Sequence, residues 1–215
     1  MKIISAIPEP SVVAMRLRRD GAQRLPTQKA DLFLLRDFLG GGTCADLMAM
    51  IDRDLRPSTV ADHNGGDDYR TSKTCDLDSA HAVVMELEAR LTEQLGIDPL
   101  FGEPLQGQKY EVGNEFRDHT DYFEPGGRDY QQYCAVAGQR TWTAMIYLNE
   151  PDAGGATRFR HLDKIVQPET GKLVVWSNLG PDGLINPFTL HAGMKVRKGV
   201  KYVITKWYRE LHWPR

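Results

Sequence analysis

From Leu105 to the C-terminal end, the chain repeats one texture: short runs of β-type residues separated by turn residues. The runs are LQGQKYEV, EFRDHTDYF, TWTAMIYLN, KLVVWSN, TLHAG and KYVITKWYRE. Turns fall at Gly113-Asn114, Gly126-Gly127, Gly154-Gly155, Gly171, the stretch Gly180 to Gly183, and Gly199. Short strands at even spacing with Gly, Pro and Asn turns indicate a sandwich or jelly roll.

The first half has a different texture. Residues 1–30 read as an irregular segment broken by Pro8, Pro10 and Pro26. LFLLRDFL (32–39) has strand character, and Gly40, Gly41 and Gly42 then break the chain. Thr43 opens a helix with Asp46 in capping-box position. Ala45, Met48, Ile51 and Leu55 continue it at helical spacing until Pro57. Residues 58–78 are polar and loop-like. A second helix runs from about Ser79 to Leu95, with Val83, Val84, Leu87, Leu91 and Leu95 as its apolar stripe and Gly96 as its stop. The expected plan is a mainly β, α+β domain over 31–215. Helical support occupies about 31–100, a β-core occupies about 101–210, and the helices pack on one face of the sheet.

Composition narrows the partners. The 215 residues are enough for one domain with a substantial core. A net charge of -2 shows none of the basic excess of a nucleic-acid binder. Cys44, Cys75 and Cys134 are odd in number and far apart, which fits reduced thiols rather than a disulfide or zinc-thiolate framework. No apolar run reaches the ~18 residues that span a membrane, and the proline-broken start lacks the apolar core of a signal peptide. The expectation is a cytoplasmic protein with no membrane association.

Chemistry concentrates at His119-Thr120-Asp121. In a strand, residues i and i+2 face the same side, so this His and Asp can reach one ion together. His191, between apolar neighbours next to a turn, is a candidate third ligand from a distant strand. Two histidines and a carboxylate make the facial triad of non-haem Fe(II) oxygenases, with positions left open for co-substrate and oxygen. His161-Leu162-Asp163 has the same spacing, and nothing local excludes it, although its charged surroundings read as a solvated loop. His63, His81 and His212 read as structural or exposed. Lys201 opens an apolar strand ten residues after His191, where a cation could meet the carboxylate of an iron-bound 2-oxo acid. Lys195 and Lys198, in the nearby turn, read as solvated.

From about residue 32 to 210 the motifs resemble the prolyl 4-hydroxylase branch of the Fe(II)- and 2-oxoglutarate-dependent dioxygenases. They are RTS (70–72), EPLQGQKYEVGNEFRDHTDYF (103–123), GQRTWTAMIYLN (138–149), GGATRF (154–159) and HAGMKVRKGVKYVITKW (191–207). The resemblance implies a double-stranded β-helix core of the jelly-roll or cupin type. It implies His119, Asp121 and His191 as iron ligands, and Lys201, Tyr110 and Thr157 around the distal carboxylate of 2-oxoglutarate. Phe116, Arg140 and Trp207 match positions near the substrate proline. His161 falls where the family has a surface loop, and 124–138 corresponds to a mobile loop over the site in relatives. Two departures stand out: Ala156 replaces an acidic residue common in relatives, and Gly107 replaces a β-branched one, which is expected to loosen its strand.

The implied reaction consumes O2 and 2-oxoglutarate, releases succinate and CO2, and hydroxylates a C–H bond, with L-ascorbate as the reductant the family often uses. Asp121 favours hydroxylation, since iron halogenases of this fold lack that carboxylate. The preferred substrate is a prolyl residue in a peptide or protein. The alternatives are a free amino acid or other small metabolite, or a non-catalytic iron and 2-oxoglutarate sensor. DNA or RNA dealkylation is disfavoured, because those enzymes normally use arginine for the distal carboxylate. The motifs leave the oligomeric state open.

Overall fold

A computed structural model describes residues 10–58, 69–127 and 130–214. The chain enters it as a helix, α1 (Pro10–Arg19), where irregular structure was expected. Pro10 takes the first helical position, where a missing N–H costs nothing because that donor has no partner within the helix. Val13, Ala14 and Leu17 follow on one face and are buried, so burial of that face outweighs the proline-rich composition.

Strands β1 (Gln23–Arg24) and β2 (Leu32–Leu35) lead to α2 (Gly41–Ile51). This helix starts before Thr43, with Gly40 as its cap and no side-chain capping bond, so the expected capping box is not what starts it. β3 (Arg56–Pro57) falls at the end expected for α2, which stops earlier, at Ile51, and β4 (Lys73–Asp76) falls where loop was expected. Residues 59–68 of that stretch, including His63, lie outside the described residues. β4 has little apolar pattern, because only Thr74 and Cys75 turn inward. α3 (Ala82–Leu95) is capped by His81, whose ring nitrogen accepts from Val83 N–H, and Gly96 ends it in the left-handed region at φ 72°.

The C-terminal half supplies β5 (Gln106–Tyr110), β6 (Phe116–His119), one helix α4 (Tyr130–Ala137), β7 (Arg140–Tyr147), β8 (Ala153–Gly154), β9 (Thr157–Phe159) and β10 (Lys164–Val166). It ends with β11 (Leu173–Ser177), β12 (His191–Gly193), β13 (Val196–Lys198) and β14 (Lys201–Arg209). The large sheet runs β1-β2-β11-β7-β14-β5-β4-β3, the smaller one runs β10-β9-β12-β6, and β13 pairs with β8. This is the double-stranded β-helix arrangement. The first half is therefore more than helical support, since β2 and β4 extend the large sheet on either side.

Pleat alternation gives the large sheet two different faces. Trp142, Ala144 and Ile146 of β7, with Ile204 and Tyr208 of β14, join a core with α1, α2 and α3. Met145, Tyr147, Val174, Trp176 and Val203 face the other way, into a second core with Phe159 of the small sheet. Lys206 turns to the helix side and meets Glu88 of α3 at 2.5 Å.

Gly107 has a packing role rather than a loosening one. β5 is paired on both sides, by β4 and β14. A Cβ at Gly107 would sit 2.4 Å from Ile51 Cγ1 and 3.2 Å from Cys75 Sγ. The glycine lets α2 approach the sheet. Gly107→Ala is therefore expected to lose about 1–3 kcal/mol in urea unfolding through overpacking. With Ile51→Ala added, the double variant should lose less than the sum of the two single losses. Strict additivity would contradict the close approach.

Candidate metal centre

His119 ends β6 and Asp121 lies in the bend just beyond it. His191 opens β12, and the antiparallel register makes His191 and His119 direct cross-strand partners. Opposed residues in such a pair have Cβ atoms about 5 Å apart, so both imidazoles can reach one point. The rings lie 4.2 Å apart between centroids, and His119 Nε2 is 3.8 Å from Asp121 Oδ1. One ligand atom from each of His119, Asp121 and His191 falls within 4.8 Å of the others.

The ring orientations suit a cation. His119 Nδ1 is 2.8 Å from Arg117 O, and His191 Nδ1 is 2.9 Å from Thr189 O. A backbone carbonyl can only accept, so each Nδ1 carries the proton and each Nε2 is left as a lone-pair donor. Burial, and then the neighbouring His191, push the His119 imidazolium well below its usual range, which favours the neutral ligand form. Stacking fixes the rings further: Phe116 lies on His119 at 3.4 Å, and Trp176 meets His191 edge-on at 4.9 Å. Two neutral imidazoles and one carboxylate fit a hard-to-borderline divalent ion such as Fe(II).

Lys201 lines the same pocket. It is 2% exposed and, among the described residues, has no hydrogen-bond or ion-pair partner. Its Nζ lies 4.9 Å from the Tyr110 ring centroid and 5.2 Å from that of Tyr147. Burial alone lowers its pKa to about 7. Holding that charge there costs on the order of 5 kcal/mol at low pH, which a bound carboxylate would offset. The other two lysines are excluded by position: Lys195 and Lys198 are exposed and sit 4.0 Å and 3.5 Å from Glu115 and Asp152.

Tyr110 is the cross-strand partner of Lys201, and its hydroxyl donates to Gln108 Oε1 at 3.2 Å. Thr157 is buried, with its hydroxyl 2.6 Å from that of Tyr147. Tyr110, Thr157, Phe116 and Trp207 all line the pocket. Arg140 does not. It lies against the Trp207 ring at 4.1 Å, pairs with Glu103 at 2.6 Å, and donates to Asp121 O at 3.4 Å. Glu103 also takes Arg209 at 2.9 Å, and Arg209 donates in turn to Gly138 O and Tyr133 O beside α4. The segment expected as a loop over the site is thus partly helical, and its described end is tied down by this arginine.

His161 and Asp163 are exposed and away from the triad. His81 caps a helix, and His212 packs on Phe101. Sequence reasoning quoted Arg70 within the RTS motif but gave it no role; it stands over the Phe116 ring at 4.8 Å and interacts electrostatically with Tyr110 and Asp121. Sequence reasoning missed Gln108, Met145 and Trp176 of the pocket wall, and Tyr147, whose ring lies beside the Lys201 ammonium. Strand parity counted from Tyr110 could have found Gln108, whereas the others lie on elements that only tertiary placement brings to the pocket.

The comparisons with known proteins agree with this geometry. Residues 105–209 match the model of the 2OG-Fe(II) oxygenase superfamily. The chain is 29% identical to probable prolyl 4-hydroxylase 8 of Arabidopsis thaliana, over 82% of this chain and 67% of that one. It is 32% identical to the human prolyl 4-hydroxylase subunit alpha-1, over 73% of this chain but 30% of that one. The chain thus spans less than a third of that animal subunit. Among solved structures, the viral collagen prolyl hydroxylase of Paramecium Bursaria Chlorella virus-1, in its complex with 2OG, superposes with a TM-score of 0.68 at 23% identity, covering 84% of this chain and 96% of that one.

The depressed Lys201 pKa has a stability consequence. Between about 7 and the usual 10.5, the unfolded chain holds this proton and the folded ligand-free protein does not. The burial cost is present in full below about pH 7 and fades as pH rises toward 10.5. Lys201→Met should therefore be the more stable protein at pH 6, by chemical denaturation without ligand. Its advantage should shrink steadily through that window. A difference independent of pH would contradict the buried, unpaired ammonium.

Proposed function

This chain belongs to the 2OG-Fe(II) oxygenase superfamily, among relatives that are prolyl 4-hydroxylases, and on that premise we propose that it is a Fe(II)- and 2-oxoglutarate-dependent dioxygenase that hydroxylates a prolyl residue in a peptide or protein. The observation that carries this is the conjunction of the facial triad with an unpaired buried lysine in one pocket. A site built for metal alone has no use for the lysine.

Bound there, Fe(II) and 2-oxoglutarate supply the oxidising chemistry, in which O2 is consumed and the co-substrate leaves as succinate and CO2. This chain's own residues bind, orient and exclude. His119, His191 and Asp121 would hold the ion with one donor atom each, a two-histidine, one-carboxylate set that suits Fe(II) and would leave room for the co-substrate. Lys201 gives the distal carboxylate its cation, and Tyr110 and Thr157 stand beside it with hydroxyl groups. A carboxylate beside Lys201 would restore the proton that burial weakens, so co-substrate affinity is linked to proton uptake near neutral pH. Phe116, Trp176 and Trp207 wall the pocket with aromatic surface and limit water. Arg140 supports substrate binding through Trp207 and the Asp121 backbone, both of which it touches. L-ascorbate belongs in the assay as the family's auxiliary reductant. The buried Cys44 and Cys75, which form no disulfide among the described residues, support a reducing, cytoplasmic setting.

The test is succinate release by the full chain with Fe(II), 2-oxoglutarate and ascorbate. Proline-containing peptides, free proline and other free amino acids would be supplied separately. Peptide-dependent succinate, with hydroxyproline found in the peptide by mass spectrometry, is the expected result. Lys201→Ala should need at least about tenfold more 2-oxoglutarate, the value of one charge-assisted bond. Response to free amino acids alone would make the protein a small-molecule hydroxylase. Binding of both ligands with no turnover on any substrate would make it a sensor.

A further inference from the structure

Thr143 and Asn178 are both fully buried polar residues close to the metal ligands, and neither belongs to the triad or the pocket wall. Thr143 lies on the inner face of β7, with its hydroxyl 2.7 Å from Asp121 Oδ2. Asn178 follows β11, the neighbour of β7, and its Nδ2 is 3.0 Å from Thr143 Oγ1.

The direction of this chain follows from the groups. An ionised carboxylate only accepts, and an amide NH2 only donates. Thr143 has one proton, which goes to Asp121. Its lone pair then receives Asn178. Turning the amide over would place a carbonyl against Thr143, giving two acceptors one proton to share. The carboxylate therefore sets the order Asn178 to Thr143 to Asp121. Because Oδ2 is held in this way, Oδ1, which is 3.8 Å from His119 Nε2, is left to face the ion.

The arrangement carries a cost. Among the described residues, Asn178 Oδ1 is buried with no hydrogen-bond partner, which is unfavourable. Packing alone would be better served by apolar side chains, so the orphaned carbonyl marks an amide kept for its donor.

The main chain of Asn178 reaches a second ligand. Its N–H donates to Thr141 O at 2.7 Å, and its carbonyl accepts Asn186 N–H at 2.9 Å. Asn186 O in turn accepts the Thr189 hydroxyl at 2.8 Å, and Thr189 O accepts His191 Nδ1–H at 2.9 Å. Asn178 is thus the junction between the holder of Asp121 and the holder of His191, two ligands 70 residues apart in sequence.

We propose that Asn178 and Thr143 are positioning residues of the metal centre, a one-way hydrogen-bond relay that orients the Asp121 carboxylate, in a role that rests on the oxygenase reading of the site. Thr143→Val keeps the shape and removes the hydroxyl. Thr143→Ser keeps the hydroxyl and removes a methyl. Asn178→Asp keeps the volume and replaces the donor with an acceptor.

The measurement is Fe(II) and Co(II) affinity of the full-length, metal-free proteins by competition with a chromophoric chelator, beside their unfolding midpoints. Thr143→Val and Asn178→Asp should each bind metal about 10- to 100-fold more weakly, with Thr143→Ser near wild type. The Co(II) absorption spectrum should change shape in the first two. The relay is overturned if Thr143→Val binds metal as wild type does, or if Thr143→Ser is as weak as Thr143→Val. A fall in unfolding midpoint with metal affinity intact also overturns it. Wild-type protein that holds neither ion overturns the oxygenase reading and the relay with it.

Discussion

Side-chain alternation across the large sheet is the constraint on which everything else depends. Along β14, Lys201, Val203, Thr205 and Trp207 look into the pocket, while Ile204, Lys206 and Tyr208 look toward the helices. A slip of one residue would exchange the two sets, turning Lys201 toward the helices and Lys206 toward the pocket face. The same parity sends Gln108 and Tyr110 of β5 inward and leaves Gly107 against Ile51 of α2. The helix packing that fixes this register is therefore also what aims the site. The helices stabilise the apolar face of a sheet whose other face is largely given over to chemistry.

That inner face holds charges that a stability-optimised protein would avoid. Among the described residues Lys201 has no counter-charge, and Arg70, though hydrogen-bonded to Ser72 and Gln106, is lowered from its usual range chiefly by desolvation. Glu103, by contrast, is shared by Arg140 and Arg209 and stays below its ordinary value, held down by both guanidinium groups despite its burial. The balance is uneven: structural charges are paired, and the charge facing the pocket is not. Removing Glu103 would strand two buried arginines, so its importance to folding is expected to exceed that of Lys201.

Much of this was legible in the sequence where chemistry and periodicity coincide. The strand runs from LQGQKYEV to KYVITKWYRE all became strands, and Gly96 ended its helix as expected. His119, Asp121 and His191 could be proposed from spacing and choice of residue, and the structure brings them together. Local spacing could not separate HTD from HLD. The register of the family resemblance separated them, and tertiary placement agrees, because His161 and Asp163 sit in a short surface helix and beyond its end. Lys201 was singled out by its place at the start of an apolar strand and by the resemblance, with Lys195 and Lys198 read as solvated, and the structure leaves both of those exposed. The helix at Pro10–Arg19 was missed because proline was read as a breaker where it serves as a first residue. β4 was missed because its inward residues are a threonine and a cysteine. Thr143 and Asn178 carried no signal at all, since a hydrogen bond between neighbouring strands leaves no local pattern.

The central claim is that three donors and one lysine form a single chelating pocket for metal and co-substrate. An anaerobic absorption titration of the metal-free protein, first with Fe(II) and then with 2-oxoglutarate, tests it most directly. A visible metal-to-ligand charge-transfer band should appear in wild type, be absent in His119→Ala, and require more 2-oxoglutarate in Lys201→Ala. If no band forms while both ligands are shown to be bound, the triad does not support chelation and the account is wrong.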